Sequence, residues 1–478
     1  MEESVFGTIN NIIKTVDGFV WGVPLIVLIL ATGLILTLRM KGLNVRHLGL
    51  ALKYMIKNEE GGEGEISSFG ALCTSLSATI GTGNIVGVAT AIAAGGPGAL
   101  FWMVLMAFIG LATKYAEGFL AIKYRTIDKD NHVLGGPFYY IENGMGKNWK
   151  WLAYVFAFFG VCVGLFGIGT FTQINGITSA VQSFFDPAKA HTVNILGNDV
   201  SWAVVVAGII VTIFVALVII GGIKRISHVS QIIVPFMAIA YVAFALLVIA
   251  CNITKLPEAI GIIVKGAFNP RAVTGGVVGT LLITIQKGVA RGIFSNESGL
   301  GSAPIAAAAA QTKDTVRQGL VSMTGTFIDT IIICTMTGLT IVLAGSWVPE
   351  LGLEGVEITM DAFGKGIPFL PEYVTSFVLM MCLAFFAFTT ILGWAYYSER
   401  CLEYLSNRNK TVVHIYRYIY IIAVFIGPYM TVEAVWNIAD IFNGLMAFPN
   451  VIALIALSGV VAKETSDYFK KYPKGKDD

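Results

Sequence analysis

Long apolar stretches alternate with short polar ones along almost the whole chain. Many of the apolar stretches reach about 20 residues, the length that a helix needs to cross a hydrocarbon core of about 30 Å. Period-two alternation is absent, which favours helices over a β-barrel. The pattern predicts about eleven membrane-spanning helices. They are placed at about 19–38, 70–94, 98–122, 151–182, 202–221, 230–252, 273–309, 318–344, 370–398, 414–433 and 438–462.

Composition supports the same class of protein. Of the 478 residues, 55% are hydrophobic and 13% are charged, and the mean hydropathy is +0.75. A soluble protein of this size is much less apolar. The chain is therefore predicted to be an all-α polytopic membrane protein, and no soluble domain interrupts its membrane part.

The run from Ala78 to Gly87 contains three glycines and an asparagine within a predicted span. Glycine weakens a helix, so this segment is predicted to break. Irregular backbone at membrane depth is tolerated where protein or a water-filled cavity satisfies its polar groups. A broken helix therefore indicates an internal solute site, as in a transporter.

A second glycine-interrupted segment, Thr284 to Ile293, lies five spans further on. Because five is odd, two such units have opposite orientations in the membrane. Paired broken helices in inverted halves are typical of a transport site at the midplane, and Gly81 can be laid over Gly288. Alternatively, these glycines only allow close helix packing.

Basic residues concentrate in alternate loops and in the C-terminal tail. These loops lie at 39–57, 123–150, 224–225, 313–317 and 400–410. The positive-inside rule places them in the cytoplasm. The prediction is a multi-pass cell-membrane protein with its N-terminus outside and its C-terminus inside.

Three longer stretches resemble the alanine or glycine:cation symporters, also called sodium:alanine symporters. They are Gly81-Thr-Gly-Asn-Ile-Val-Gly-Val-Ala-Thr-Ala-Ile92 running into Gly95-Gly-Pro-Gly-Ala-Leu-Phe-Trp102, Gly135-Gly-Pro-Phe-Tyr-Tyr140, and Gly288-Val-Ala-Arg-Gly-Ile-Phe-Ser-Asn-Glu-Ser-Gly-Leu-Gly-Ser-Ala-Pro304. The resemblance covers nearly the whole chain.

The resemblance implies a leucine-transporter-type core of five plus five inverted helices, with two discontinuous helices, after one extra N-terminal helix. It also implies sodium-coupled uptake of alanine or glycine, with proton coupling in some members. The expected parts are an N-terminal helix and basic loop at 1–66, a first repeat at 67–252, an extracellular interfacial segment at 253–272, a second repeat at 273–462 and a basic tail at 463–478.

A broken helix offers both partial charges that a zwitterionic amino acid needs. The N–H groups of Thr82 and Gly83, at the start of the second half-helix, suit a carboxylate. Carbonyls at the end of the first half-helix, near Ser77 to Ile80, suit a cation or an ammonium group. The substrate contacts are expected from Thr79, Gly81, Thr82, Gly83, Asn84, Phe166, Thr170, Gln173, Gln286 and Gly288.

Sodium ligands follow from the resemblance. It implies that the Asn84 side-chain oxygen and the Thr79 carbonyl bind one sodium beside the substrate. It implies a second sodium between the carbonyls of the first broken helix and the eighth core helix, at Ser77, Ile80, Phe386, Thr389 and Thr390. Hard oxygen ligands without a carboxylate suit a monovalent cation. Alternatively, the Thr389 and Thr390 hydroxyls bond back to their own helix.

The third core helix places Phe166, Thr170 and Gln173 on one face, where they could line the pocket. Gln286 would complete it, and the glycines with Phe166 would leave room for a short side chain only. Equally, Gln173 and Asn175 could join helices without contacting substrate.

Charged residues within spans are expensive in hydrocarbon and should face a cavity or a partner. Lys287 and Arg291 lie one turn apart, and Asp329 or Glu297 could neutralise them. These four residues are predicted to form a network at the cytoplasmic gate that exchanges partners during transport. A static ion-pair network is the alternative.

Rival functions fit less well. A channel would repeat its filter segments around an axis, and an enzyme would need convergent acid, base or metal ligands. Proton coupling stays open because Asp329 and Glu297 are titratable. The expected ligands are alanine or glycine and a co-transported sodium ion, without an organic cofactor. The expected surroundings are the lipid bilayer, without nucleic acid or an obligate protein partner.

Overall fold

The computed structural model describes residues 5–57, 62–129, 132–195, 198–268, 277–430 and 432–476. Helices form nearly all of its regular structure. The first eleven are α1 Val5–Val20, α2 Val23–Arg39, α3 Leu43–Arg46, α4 Leu48–Ile56, α5 Ser68–Thr79, α6 Val88–Gly95, α7 Gly98–Lys123, α8 Pro137–Tyr140, α9 Lys150–Phe166, α10 Phe171–Phe185 and α11 Trp202–Ile219. The others are α12 Gly222–Cys251, α13 Leu256–Phe268, α14 Val277–Asn296, α15 Ala303–Ala308, α16 Thr315–Thr326, α17 Thr335–Ala344, α18 Val356–Gly366, α19 Glu372–Leu405, α20 Lys410–Ile426 and α21 Val432–Lys471.

Shorter elements connect or interrupt these helices. Two antiparallel hairpins pair β1 Thr126–Ile127 with β2 Val133–Leu134, and β3 Thr192–Ile195 with β4 Asn198–Ser201. Wide π-helical turns cover Gly83–Gly87, Ile141–Met145 and Phe327–Cys334, and 3₁₀ turns cover Lys147–Trp149, Ile253–Lys255, Pro349–Leu351 and Gly427–Tyr429. Such turns inside longer helices often occur at functional sites.

In the described part of the chain, nine helices are long and apolar enough to cross a membrane, and one bent helix pair adds a tenth. These ten match ten of the predicted spans. The remaining predicted span, 273–309, contains α14 and α15, and its residues 273–276 lie outside the described residues. The count of about eleven stays a prediction, as do the inverted repeats and the domain boundaries. Residues 269–272 of the predicted interfacial segment also lie outside the described residues.

Helix α7 lies at the centre of the fold. Nearly every side chain from Gly110 to Ile122 is buried, because α2, α14, α15 and α16 pack around this helix. Small residues allow the approach: a Cβ on Gly118 would lie 2.2 Å from the Ser322 hydroxyl of α16. Close contact through small residues is the usual way in which membrane helices associate.

The predicted break at the first glycine run is confirmed. Helix α5 ends at Thr79, the chain resumes a helical path at Gly83, and the two arms are bent by 53°. Ile80 takes an extended conformation, with ψ 93°. The Ile80 carbonyl and the N–H groups of Gly81 and Thr82 are thereby left to bond with side chains.

The predicted break between Thr284 and Ile293 is wrong. Helix α14 continues through Gly288 and Gly292 to Asn296. A Cβ on Gly288 would lie 2.3 Å from the Ala99 carbonyl oxygen, and one on Gly292 would lie 3.2 Å from Met103. These glycines therefore serve close packing against α7, which was the alternative interpretation.

The second break lies further on, between Glu297 and Ser302. Glu297, Gly299 and Gly301 have positive φ values of 56°, 92° and 82°. This left-handed region terminates helices and favours glycine. Helix α14 therefore ends at Asn296, and α15 resumes at Ala303.

Candidate functional site

Three other elements satisfy the backbone at the first break. The Gly81 N–H donates to Asn84 Oδ1 (2.9 Å), and the Thr82 N–H donates to Gln173 Oε1 of α10 (3.0 Å). The Thr390 hydroxyl of α19 donates to the Ile80 carbonyl (3.1 Å). A Cβ on Gly81 would lie 2.5 Å from Thr390 Oγ1 and 2.8 Å from Gln173 Oε1. The break is thus a closely packed junction of polar groups.

A buried carboxylate stands beside this junction. Asp329 is fully buried, and its Oδ1 accepts a hydrogen bond from Asn84 Nδ2 (2.7 Å). Its Oδ2 accepts from the Ser295 hydroxyl (2.8 Å) and from the Thr330 hydroxyl (2.6 Å). Polar side chains from the segment at the first break, the end of α14 and the π-helical turn after α16 therefore meet here.

The two threonines of α19 were predicted either to bind sodium or to bond back to their own helix, and they differ in this respect. Thr390 Oγ1 bonds both to the Ile80 carbonyl and, at 3.0 Å, to the Phe386 carbonyl of its own helix. Among the oxygen atoms of the described residues, Thr389 Oγ1 bonds only to its own helix, at Phe385 and Phe386. The Ser77 hydroxyl donates to Thr74 within α5 (2.8 Å). Thr390 and Ile80 are thus in direct contact, while Ser77 and Thr389 make local bonds.

Residues on the predicted face of the third core helix do not come together. Helix α9 ends at Phe166, and α10 begins at Phe171, so no continuous helix aligns them. Phe166 is 42% exposed, and the Thr170 hydroxyl bonds to the Leu165 carbonyl (2.7 Å). Only Gln173 reaches the first break. The shared face of Phe166, Thr170 and Gln173 was therefore a wrong prediction.

Gln286 and Gly288 also lie away from the first break. The Gln286 amide donates to the Trp21 carbonyl (3.3 Å), next to the turn between α1 and α2. Gly288 packs against Ala99 of α7. Both residues belong to α14 well before its true end at Asn296. The residues of α14 that approach the first break are Phe294 and Ser295, which lie next to Gly83.

The predicted pairing of charges is also wrong. Arg291 makes a bidentate pair with Asp440 of α21, at 2.9 and 3.2 Å. Lys287 is exposed. Glu297 accepts hydrogen bonds from the Trp394 indole (2.9 Å) and from the Ser302 hydroxyl. The Arg291 guanidinium also lies over the rings of Phe294 and Trp436.

The assignment of Arg291 to a cytoplasmic gate stays a prediction. Its partner Asp440 accepts a hydrogen bond through its carbonyl from the Trp21 indole (2.6 Å). Trp21 follows α1, which carries the N-terminus that the charge pattern predicts to be outside. The pair therefore lies next to the turn between α1 and α2.

Sequence reasoning missed Ser295, Thr330 and Asp440 as partners in these contacts. Each is a buried polar residue within or beside an apolar helix. A polar residue within an apolar stretch can be recognised in the sequence and suggests a functional position. It does not reveal the partner, because the partners lie on helices that are distant in sequence.

A second polar cluster lies outside the membrane spans, at the β1–β2 hairpin. His132 Nδ1 is 2.9 Å from Glu65, and His132 Nε2 is 2.9 Å from Glu403. Hydrogen bonds with Glu403 and Glu65 raise the pKa of His132 from 6.5 to about 9, although Arg400 Nη1 approaches Nε2 at 2.6 Å. The protonated imidazole thus joins the segment before α5, the hairpin and α19.

Comparison with known proteins places these features in context. The family described as "Sodium:alanine symporter family" matches residues 6–478. The chain is 46% identical over 466 residues to "Sodium/alanine symporter AgcS" of Methanococcus maripaludis, covering 96% of this chain and 97% of the relative. It is 36% identical over 472 residues to "Probable sodium/glutamine symporter GlnT" of Bacillus subtilis, covering 98% of this chain and 92% of the relative.

The fold is shared with a solved transporter structure. The crystal structure of MhsT in complex with L-phenylalanine aligns with a TM-score of 0.55 at 12% identity, covering 85% of this chain and 99% of that chain. A likeness at this identity concerns the fold alone. It confirms the leucine-transporter-type, all-α membrane fold that the sequence resemblance implied.

Proposed function

Because the chain belongs to the sodium:alanine symporter family, and is therefore a multi-pass membrane transporter rather than an enzyme, we propose that it carries a small neutral amino acid into the cell together with sodium. The observation that carries the proposal is the meeting of Asn84, Ser295 and Asp329 beside the first break. It joins both broken helices and a buried carboxylate in one polar site.

A hard monovalent cation such as sodium suits this site. The Asp329 carboxylate and the hydroxyls of Ser295 and Thr330 supply hard oxygen atoms, which bind alkali cations in preference to soft metals. In the structure both hydroxyls donate to the carboxylate. On binding, the hydroxyls rotate so that their lone pairs face the ion. A monovalent ion also neutralises a carboxylate that is expensive to bury.

The amino acid is expected at the first break itself. Its carboxylate would replace Gln173 Oε1 as the acceptor for the Thr82 N–H, at the start of a half-helix where anions are favoured. Its ammonium group would face the carbonyls of Thr79 and Ile80. Gly81 lies so close to Thr390 that not even a Cβ fits there. This close packing supports a substrate with a short side chain, such as alanine or glycine.

A second sodium is proposed between α5 and α19. The Ile80 carbonyl and the Thr390 hydroxyl are already in contact, at 3.1 Å. The Phe386 carbonyl accepts from both Thr389 and Thr390, at 3.0 Å in each case. Rotation of the two hydroxyls would expose three oxygen atoms from α19 to one ion. Ser77, on the last turn of α5, would supply a further carbonyl.

Uptake into proteoliposomes tests this function. Labelled L-alanine is supplied under an inward sodium gradient, an equal potassium gradient or an imposed proton gradient, with glycine and glutamine as competitors. Accumulation under the sodium gradient alone is expected, together with competition by glycine. Accumulation under the proton gradient alone would mean that protons, and not sodium, are the coupling ion. If neither alanine nor its competitors accumulate under any gradient, the assigned substrate class is wrong.

A further inference from the structure

Arg125 lies shortly after the end of α7 and has no part in the proposed transport site. Its Nη1 donates hydrogen bonds to the carbonyls of Ala308 (2.5 Å) and Ala310 (2.7 Å). Its Nη2 donates to the carbonyls of Glu63 (2.7 Å) and Thr312 (2.6 Å). A guanidinium group is planar, always charged and carries five N–H donors, so it can bind several oxygen atoms at once. One side chain thus joins the end of α7 to the segment before α5 and to the segment after α15.

The two segments that Arg125 joins also bond to each other through their backbones. The N–H groups of Glu65 and Ile66 donate to the Ala309 carbonyl, at 2.9 and 3.2 Å. The Gln311 N–H donates to the Ile66 carbonyl (2.8 Å), and Ile66 forms a parallel β-bridge with Ala310. Residues 62–66 and 309–312 therefore form one strand-like contact, which we name the joint.

Small residues make the joint compact. A Cβ on Gly62 would lie 2.4 Å from the Gln311 carbonyl oxygen. A Cβ on Gly64 would lie 2.5 Å from the Ala310 carbonyl oxygen. Backbone polar groups in such a compact place need partners within the protein, and Arg125 supplies one for each carbonyl that it contacts. Apolar side chains at the joint are buried together, and this cluster contains Ile66, Ala71, Ala309 and Ala310.

The joint lies at the ends of the two broken helices that point away from their breaks. Helix α5 runs from the joint to the first break, after Thr79. Helix α15 runs from the second break to the joint and ends at Ala308. The basic loops at 123–150 and 313–317 lie on this side, which the charge pattern predicts to be cytoplasmic. A transporter must open its site to this side once in each cycle, and movement of either helix alone would break the joint.

We propose that Arg125 is a positioning residue for transport, which holds α5 and α15 to the end of α7 so that this side of the protein opens and closes as one unit. The proposal rests on the membership of the chain in a transporter family, and not on the identity of the substrate or of the coupling ion. Hydrogen bonds from a charged donor are stronger than neutral ones, and buried carbonyls without a donor are unfavourable. Loss of the guanidinium therefore loosens the joint, and the two helices then move independently.

An ion pair crosses the same joint but connects it less strongly. Lys313 Nζ lies 2.9 Å from Glu63 Oε1, and both side chains are 63% exposed. Exposed pairs contribute little because water and salt screen them. Lys313→Met is therefore the matched control within the joint. Arg225→Ala is the matched arginine control, because Arg225 is exposed and donates to the Leu217 carbonyl (2.8 Å) near the end of α11.

The test is hydrogen–deuterium exchange of the purified full-length protein in detergent, measured by mass spectrometry of peptides that cover 62–72 and 306–316. In the wild type, the joint amides of Glu65, Ile66 and Gln311 should exchange slowly and together. In Arg125→Ala and Arg125→Lys they should exchange at least about tenfold faster, which corresponds to a loss of about 1.4 kcal/mol in the free energy of local opening. Lysine fails because its single nitrogen cannot replace a forked, planar donor. Both controls should exchange as the wild type does.

Added guanidinium separates a positioning role from a loss of packing. Millimolar guanidinium chloride supplies the same planar cation, so it should restore slow exchange in Arg125→Ala, whereas an equal concentration of ammonium chloride should not. In proteoliposomes, Arg125→Ala should lower the maximal rate of alanine uptake and leave KM unchanged, because the proposed transport site is intact. Guanidinium should raise that rate.

The possible failures are separable. Unchanged exchange in either folded Arg125 variant would overturn the proposal. Fast exchange that guanidinium does not slow would assign the effect to lost packing and would also overturn it. If the wild type does not take up alanine, the proposed substrate is wrong, and the exchange measurement still decides the role of Arg125. If Arg125→Ala fails to fold, Arg125→Lys provides the same exchange comparison.

Discussion

The side-chain amide of Asn84 donates a hydrogen bond to Asp329 Oδ1 over 2.7 Å, although 245 residues separate the two along the chain. The contact joins the first break to the π-helical turn of Phe327–Cys334. It turns an asparagine and an aspartate, which the sequence assigned to different roles, into parts of one site. The following predictions test that site and its supports.

Asp329→Asn should weaken sodium-dependent uptake. The substitution keeps the shape but removes the carboxylate charge that contacts Asn84 and Ser295, so the cation loses its counter-charge. We expect at least a tenfold weaker apparent affinity for sodium in proteoliposome uptake, as a loss of about 1.4 kcal/mol produces. The control is Asp361→Asn on α18, which removes an exposed pair with Lys365. Unchanged sodium dependence in Asp329→Asn would show that Asp329 does not bind the sodium ion.

Gly81→Ala should stop transport while Gly87→Ala is tolerated. The new Cβ at Gly81 would lie 2.5 Å from Thr390 Oγ1, whereas no atom lies within 4 Å of a Cβ at Gly87. Both glycines belong to the same interrupted segment, so the pair separates local packing from helix propensity. Alanine uptake per folded molecule is the measurement. Equal uptake by the two variants would contradict the close packing at the break.

Gly288→Ala should lower stability. Its Cβ would lie 2.3 Å from the backbone oxygen of Ala99, and overpacking of this kind costs about 1–3 kcal/mol. The measurement is the thermal unfolding midpoint in detergent. Gly261→Ala on α13, where a Cβ meets nothing within 4 Å, is the control and should not lower that midpoint. If Gly288→Ala unfolds at the wild-type temperature, α14 and α7 are not in close contact there.

The Arg291–Asp440 pair should show strong coupling. Its side chains are only 18% and 11% exposed, so removing one partner leaves a charge in a poorly solvated place. Arg291→Ala or Asp440→Ala is expected to destabilise by up to about 3 kcal/mol, and the double variant by less than the sum. Lys365→Ala, in a more exposed pair, should change stability by less than about 1 kcal/mol. Additive effects of Arg291→Ala and Asp440→Ala would rule out a direct interaction.

His132 should make stability depend on pH. Its pKa is raised from 6.5 to about 9, mainly by hydrogen bonds with Glu403 and Glu65. A raised pKa in the folded state means that the protonated form stabilises the fold below about pH 6.5 and that this stabilisation is lost as the pH rises through about 9. The unfolding midpoint of the wild type should therefore fall more steeply between these values than that of His132→Asn. The exposed His191→Asn is the control and should follow the wild type.

Local pattern determined several features of this protein. The apolar stretches located ten of the predicted spans, because crossing a membrane requires a long continuous apolar helix. The run from Ala78 to Gly87 located the first break, because closely spaced glycines and an asparagine have low intrinsic helix propensity. The motif resemblance identified the family, which the comparison confirmed.

Only the tertiary structure decided which other glycines break a helix and which charges form pairs. Gly288 and Gly299 are the same residue type a few turns apart, yet Gly288 allows α7 to approach and Gly299 takes a left-handed conformation. Arg291 pairs with Asp440 rather than Asp329 because α21, which is remote in sequence, packs nearby. Backbone dihedral angles and ion pairs depend on which helices become neighbours, and a single sequence does not show which helices those are.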